Sequence, residues 1–89
     1  MVSLEEEWPQ WWHWELDCSN PHLAKRMLDR SFSETDLREM LERASGFRPD
    51  DDPGRYVIVT TQGPEPWEVI VEPQPSEKIL LVVTAYSAG

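Results

Sequence analysis

The stretch between Ser33 and Gly46 constrains the fold most, because it carries signals for the start, the buried face and the end of one helix. Ser33 and Asp36 have the spacing of a capping box, in which each side chain accepts from the other residue's backbone N–H. Gly46 stands where a left-handed residue commonly ends a helix. Apolar residues recur between them at helical spacing, namely Leu37, Met40, Leu41 and Ala44. We therefore predict an amphipathic helix between Ser33 and Gly46.

A second helix is predicted directly before this one, over Pro21–Arg30. Ser19 or Asn20 can cap it, and Pro21 suits the first helical position because an N–H group there would have no partner. Its predicted apolar half consists of Leu23, Ala24, Met27 and Leu28. Because only two or three residues join the two helices, we expect them to pack as a helix hairpin.

Tryptophan dominates the N-terminal segment, where four of the five indoles lie between residues 8 and 14. Alternation places Trp12, Trp14 and Leu16 on one face, which predicts a short, half-buried strand. Trp8 and Trp11 fall outside that register and either cover the edge of the core or contact another chain. We assign Trp8, Trp11 and Trp12 as candidate partner-binding residues.

Three further strands are predicted, over residues 55–61, 67–72 and 79–86, and their connections are rich in Pro, Gly and charge, as hairpin loops require. The acidic run at 50–52 lacks the ligand spacing of a calcium loop and is interpreted as a solvated loop. The predicted fold is α+β, with an N-terminal strand, a helix hairpin and a three-stranded antiparallel meander in two layers. We assign residues 12–87 to one domain and residues 1–11 to an acidic, tryptophan-rich N-terminal extension.

Several classes of protein do not fit this composition. One cysteine cannot form an internal disulfide, and with two separated histidines it is too few for a structural zinc site. We therefore predict neither metal nor cofactor. The longest apolar run has five residues, whereas a membrane helix needs about twenty. The first seven residues are acidic and lack the pattern of a secretion signal, so we expect a cytoplasmic protein that contacts no membrane.

The net charge of −9 is distributed unevenly along the chain. Residues 1–19 carry −5, residues 20–48 carry +1 and residues 49–89 carry −5. Seven of the eight basic residues fall between positions 25 and 55. The overall acidity disfavours non-specific binding to nucleic acid, whereas the basic stretch can receive a phosphate locally.

The run HLAKRMLDR at residues 22–30 resembles the His-x-x-x-Arg-x-x-x-Arg opening of a small bacterial family of uncharacterised domains. Residues 31–37 resemble the start of that family's second helix, and residues 67–71 and 81–86 resemble its closing strands. The resemblance covers about residues 12–87. That family is similar to the RelE/BrnT-like toxins and, more remotely, to the barnase–colicin–RelE group of metal-independent ribonucleases.

The resemblance implies a RelE-like fold and a toxin-like ribonuclease of a bacterial toxin–antitoxin system, with RNA and a cognate antitoxin as partners. It carries over a candidate catalytic set of His22, Arg26, Arg30, Thr84 and Tyr86. These residue types suit RNA cleavage without a metal ion. Histidine can donate or accept a proton near neutral pH, arginine binds phosphate through paired N–H groups, and a hydroxyl can donate to a phosphate oxygen.

Each candidate also has a purely structural interpretation. His22 can be an exposed or packing histidine, Arg26 can pair with Asp29, and Arg30 can bridge to Asp36. The two hydroxyl residues are ordinary strand formers. The alternative function is therefore a non-catalytic protein-binding module of the same fold, which uses its acidic surface and tryptophan-rich N-terminus. A homodimer formed through the tryptophan-rich segment is compatible with either function.

Overall fold

The computed structural model describes residues 8–88 as two helices and a five-stranded mixed sheet, which confirms the α+β class. A short 3₁₀ helix (Gln10–His13) precedes β1 (Glu15–Asp17), α1 (Pro21–Arg30) and α2 (Glu34–Glu42). The remaining strands are β2 (Gly46–Pro49), β3 (Tyr56–Gln62), β4 (Glu65–Gln74) and β5 (Ile79–Ser87). No helix among these residues is long and apolar enough to cross a membrane.

The sheet has the strand order β1-β5-β4-β3-β2. The predicted meander is present as β3, β4 and β5, which pair antiparallel. The predicted layout is nevertheless wrong at both edges of the sheet. β1 runs parallel to β5, with Leu16 opposite Leu80, and β2 pairs antiparallel with β3, with Phe47 opposite Ile58. The meander is therefore the centre of a larger sheet.

The unpredicted strand β2 begins at the residue that we expected to end α2. The capping box of Ser33 and Asp36 is present, which confirms the predicted start of this helix. The helix ends earlier than predicted, with Arg43 as its C-cap at φ −92°. Gly46 instead pairs with Val59, because the free edge of β3 offers backbone partners to the extended chain.

The N-terminal strand is shorter than the tryptophan alternation predicts. Backbone hydrogen bonds from Trp12 to Pro9 (3.0 Å) and from Trp14 to Trp11 (3.1 Å) close 3₁₀ turns over residues 9–14. The extended pairing starts only at Glu15. The indoles therefore do not line one strand face, although all four are half-buried against the core.

One face of the sheet and the inner sides of both helices form the core. Its largest fully buried apolar side chains are Leu23, Leu37, Met40, Ile58, Leu80, Val69, Val71 and Val82. The buried hydroxyl of Thr60 donates to the backbone carbonyl of Met40, which ties β3 to α2. Phe32 and Trp67 meet edge to face at the link between the helices, with ring centroids 5.3 Å apart.

The predicted apolar half of α1 is only partly buried. Leu23 is fully buried and Met27 is half-buried, as expected. Ala24 is exposed and Leu28 is 83% exposed, so the prediction is wrong for these two residues. The helix is rotated about its axis relative to the predicted face, and Arg26 is half-buried in consequence.

The tryptophan-rich segment extends from the start of β1 across to the β2–β3 side of the sheet. The indoles of Trp8 and Trp12 lie 4.2 Å apart between ring centroids, and Trp8 lies 5.0 Å from Phe47. Trp11 lies 4.9 Å from Tyr56. These indoles pack against the main core, although we placed the domain boundary at residue 12. Residues 1–7 of the predicted extension lie outside the described residues.

The C-cap of α1 gives a test of backbone strain. Ser31 adopts φ 56° and ψ 47°, the left-handed conformation that glycine adopts without steric cost. We expect Ser31→Gly to raise the free energy of unfolding by roughly 0.5–1 kcal/mol, measured by urea denaturation. Ser76→Gly, in an exposed turn without positive φ, is the matched control and should lower stability slightly. Equal effects of the two substitutions would contradict this explanation.

Candidate active site

A polar cleft lies where α1 passes the last strand. Its volume is about 330 Å³, and it is lined by His22, Lys25, Arg26, Asp29 and Thr84. Four of these residues share one face of α1, because side chains three or four positions apart are neighbours on a helix. Thr84 comes from β5, so the fold brings together residues about sixty positions apart in the chain.

The start of α1 is fixed by its cap. The Asn20 side chain accepts a hydrogen bond of 2.8 Å from the backbone N–H of His22, and Pro21 occupies the first helical position. His22 therefore stands in the first turn, close to the positive end of the helix dipole. An anion in the cleft would be stabilised by this end of the helix as well as by the side chains.

The basic residues of α1 differ from the other arginines of the described chain. Within residues 8–88, Lys25, Arg26 and Arg30 form no salt bridge, so the alternative pairings of Arg26 with Asp29 and of Arg30 with Asp36 are not formed. The other four arginines all have partners. Three form salt bridges, Arg38 with Glu34, Arg48 with Glu68, and Arg55 with Glu72 and Asp52. Arg43 donates a hydrogen bond to the backbone carbonyl of Thr61. The uncommitted positive charge of these residues is thus concentrated on α1.

The structure brings together three of the five predicted catalytic residues. His22, Arg26 and Thr84 line the cleft, and Arg30 and Tyr86 are not among its lining residues. The Tyr86 hydroxyl instead donates to the Glu68 carboxylate at 2.8 Å. Burial raises the pKa of Tyr86, and the hydrogen bond to Glu68 adds to this effect.

Sequence reasoning missed two residues of the cleft. Lys25 follows His22 by three positions, and Asp29 follows Arg26 by three. Residues three or four positions apart share a helix face, so the spacing that places Arg26 beside His22 also places Lys25 and Asp29 on that face. With Lys25 and Arg26 opposed by Asp29, the cleft carries two formal positive charges and one negative charge.

Within residues 8–88, no group of three or more His, Cys, Asp or Glu residues could hold a metal ion. The single cysteine, Cys18, lies outside the cleft in a half-buried position. Burial raises the pKa of the Cys18 thiol from its ordinary value of 9.0 to about 11, and the Glu34 carboxylate adds to the shift. The neutral thiol is a poor nucleophile at neutral pH.

This shift predicts slow alkylation of the native protein. We expect iodoacetamide to react with Cys18 at pH 8 about ten- to a hundredfold more slowly in the native than in the urea-unfolded protein. The native rate should keep rising as the pH approaches about 11. Mass spectrometry of quenched samples measures both rates.

The same shift has a consequence for stability. The unfolded chain releases the thiol proton near pH 9, and the folded chain releases it only at about 11. The free energy of unfolding therefore falls as the pH rises between these two values. Cys18→Ala is the control, because it removes this contribution to the pH dependence and leaves that of the other groups. Equal slopes for the variant and the wild type, or equal alkylation rates for the native and unfolded protein, would contradict the assignment.

Comparison with known proteins finds one family. The family model described as a domain of unknown function (DUF4258) matches residues 20–87, which is most of the chain and contains the whole cleft. No curated protein and no solved structure matches.

Proposed function

We propose a function for the chain, which belongs to the DUF4258 family: it is a toxin-like ribonuclease that cleaves RNA without a metal ion. The cleft between α1 and β5 is its active site, and its fold is a variant of the RelE type. The resemblance of residues 22–30 to the opening of the RelE/BrnT-like group supports the toxin–antitoxin role, with a cognate antitoxin as partner.

One observation carries this proposal. His22, Arg26 and Thr84 come from the two ends of the domain and line the same cleft, together with Lys25. Cleavage of a phosphodiester needs a proton donor for the leaving oxygen and positive or hydrogen-bonding groups for the phosphate. The cleft offers a histidine, two cations and a hydroxyl residue for these roles. Lys25 and Arg26 form no salt bridge with the described residues, so their charges are available to a phosphate.

Binding of the substrate follows from the charges. Arg26 binds the scissile phosphate through paired N–H groups, and Lys25 adds a second positive charge beside it. The Thr84 hydroxyl donates to a phosphate oxygen. Because the whole chain carries a charge of −9, binding depends on this local contact rather than on long-range attraction. The expected substrate is therefore a flexible single strand that places one phosphate in the cleft.

The chemical step balances with the residues of the cleft. The ribose 2′-oxygen attacks phosphorus, and its proton passes to the Asp29 carboxylate. The new bond from the 2′-oxygen to phosphorus forms as the bond from phosphorus to the 5′-oxygen breaks. Protonated His22 gives its proton to the departing 5′-oxygen. The products are a 2′,3′-cyclic phosphate and a 5′-hydroxyl, and a metal ion is not required.

Cleavage of single-stranded RNA by the purified protein in excess EDTA tests the proposal. We expect His22→Ala to lower the rate about 10²- to 10⁴-fold, because it removes the proton donor. The matched control is His13→Ala, since His13 is the other histidine, is exposed and lies outside the cleft. It should retain full activity. Gel electrophoresis and mass spectrometry of the ends should show the cyclic phosphate.

Arg26→Ala tests the phosphate contact separately. It should weaken RNA binding as well as cleavage, whereas His22→Ala should affect cleavage more than binding. Equal residual cleavage by the wild type and His22→Ala would show a contaminating nuclease and refute the proposal. Loss of activity in EDTA would refute the metal-independent mechanism.

A further inference from the structure

A second concave surface lies between β1 and α2, away from the cleft. Two adjoining cavities of about 330 and about 400 Å³ share Glu15 and Leu16 of β1. They extend along α2 from Glu34 to Glu42. We call this surface the β1–α2 groove. It has no lining residue in common with the cleft, so it is independent of the proposed active site.

The floor of the groove is apolar. Leu41 and Leu80 are buried at its base. Trp12, Trp14 and Leu16 form a half-buried side. Such a lining favours an apolar side chain over water, because filling it removes further apolar surface from solvent.

The rim of the groove is acidic. Its carboxylates are Glu15, Asp17, Glu34 and Glu42, and its single base, Arg38, lies 3.7 Å from Glu34. The hydroxyl and the backbone N–H of Ser19 donate to Asp17, which lowers the pKa of that carboxyl group. The rim therefore presents four carboxylates against one guanidinium at neutral pH.

The length of the groove fits a peptide. Glu34 and Glu42 are eight residues apart on α2, which corresponds to about 12 Å at the rise of an α-helix. Extended chain advances about 3.3 Å per residue, so this length accommodates about four residues. An apolar floor with charged ends over such a length is typical of sites that bind one anchor side chain and its neighbours.

We propose that the β1–α2 groove binds a basic segment of a partner protein, with an apolar side chain on the floor and flanking Lys or Arg residues on the rim. Charge complementarity identifies this occupant. The acidic rim repels RNA, and the chain itself, with a charge of −9, is a poor match for it. The proposal goes beyond the ribonuclease function, because it assigns a partner surface that does not depend on the cleft.

Fluorescence anisotropy with labelled five-residue peptides tests the proposal. The probe alternates lysine and leucine; one comparison peptide replaces each leucine with serine, and the other replaces each lysine with glutamate. We expect the lysine–leucine peptide to bind most tightly, since only it matches both rim and floor. Added salt should weaken its binding, because exposed charge pairs are screened.

Two matched variants locate the binding. Glu42→Lys reverses a rim charge, and Glu39→Lys makes the same change on α2 outside the groove. We expect Glu42→Lys to weaken binding of the lysine–leucine peptide about five- to tenfold and Glu39→Lys less than about twofold. His22→Ala should leave peptide binding unchanged, so that failure of the ribonuclease proposal does not affect this one.

Three results would overturn the proposal. They are no binding of the lysine–leucine peptide, equal binding of the lysine–serine peptide, and equal weakening by the two lysine variants. Sedimentation provides a further test. A wild-type dimer that Glu42→Lys dissociates, with Glu39→Lys remaining dimeric, would show that a second copy of the chain occupies the groove instead.

Discussion

The parallel pairing of β1 with β5 positions both surfaces described above. Only residues 18–20 separate the end of β1 from α1, so the pairing of Asp17 with Leu81 fixes where α1 begins. From that point α1 packs along β5, and its polar side meets Thr84. A parallel pair requires a long connection, and here α1, α2 and β2–β4 together supply it. The cleft is therefore a product of the sheet topology and not of one motif.

The same pairing opens the groove. α2 packs on β3, whereas β1 lies at the edge of the sheet beyond β5. Strands β4 and β5 therefore separate β1 from the strand that α2 covers, and the groove lies in the space between α2 and β1. Bases of the middle segment line the cleft, whereas acidic residues of β1 and α2 line the groove. The two surfaces differ in charge, which is why we propose partners of opposite charge for them, an RNA phosphate for the cleft and a basic protein segment for the groove.

Local signals predicted the local structure well. The bounds of α1 and the capping box of α2 were predicted correctly, because proline, caps and periodicity act within a few residues. The failures concern non-local partners. The parallel position of β1 and the existence of β2 depend on free strand edges that are distant in sequence. The exposure of Leu28 has a similar origin: periodicity defines an apolar half of a helix, and only packing decides how much of it meets the sheet.

Thr84 shows most clearly why the site could be predicted only in part. Leu80 and Val82 point into the core, and strict alternation would bury residue 84 as well. The register shifts between Ile70 and Val71, so that Val83 is an extra residue in β5 and the next fully buried position is Ala85. The bulge thereby releases Thr84 from the core to the cleft and leaves Tyr86 beside Glu68. No residue type in β5 specifies such a shift, and bulges commonly re-aim side chains next to active sites. The resemblance made Thr84 a candidate, and the bulge is the physical reason that this residue lines the cleft.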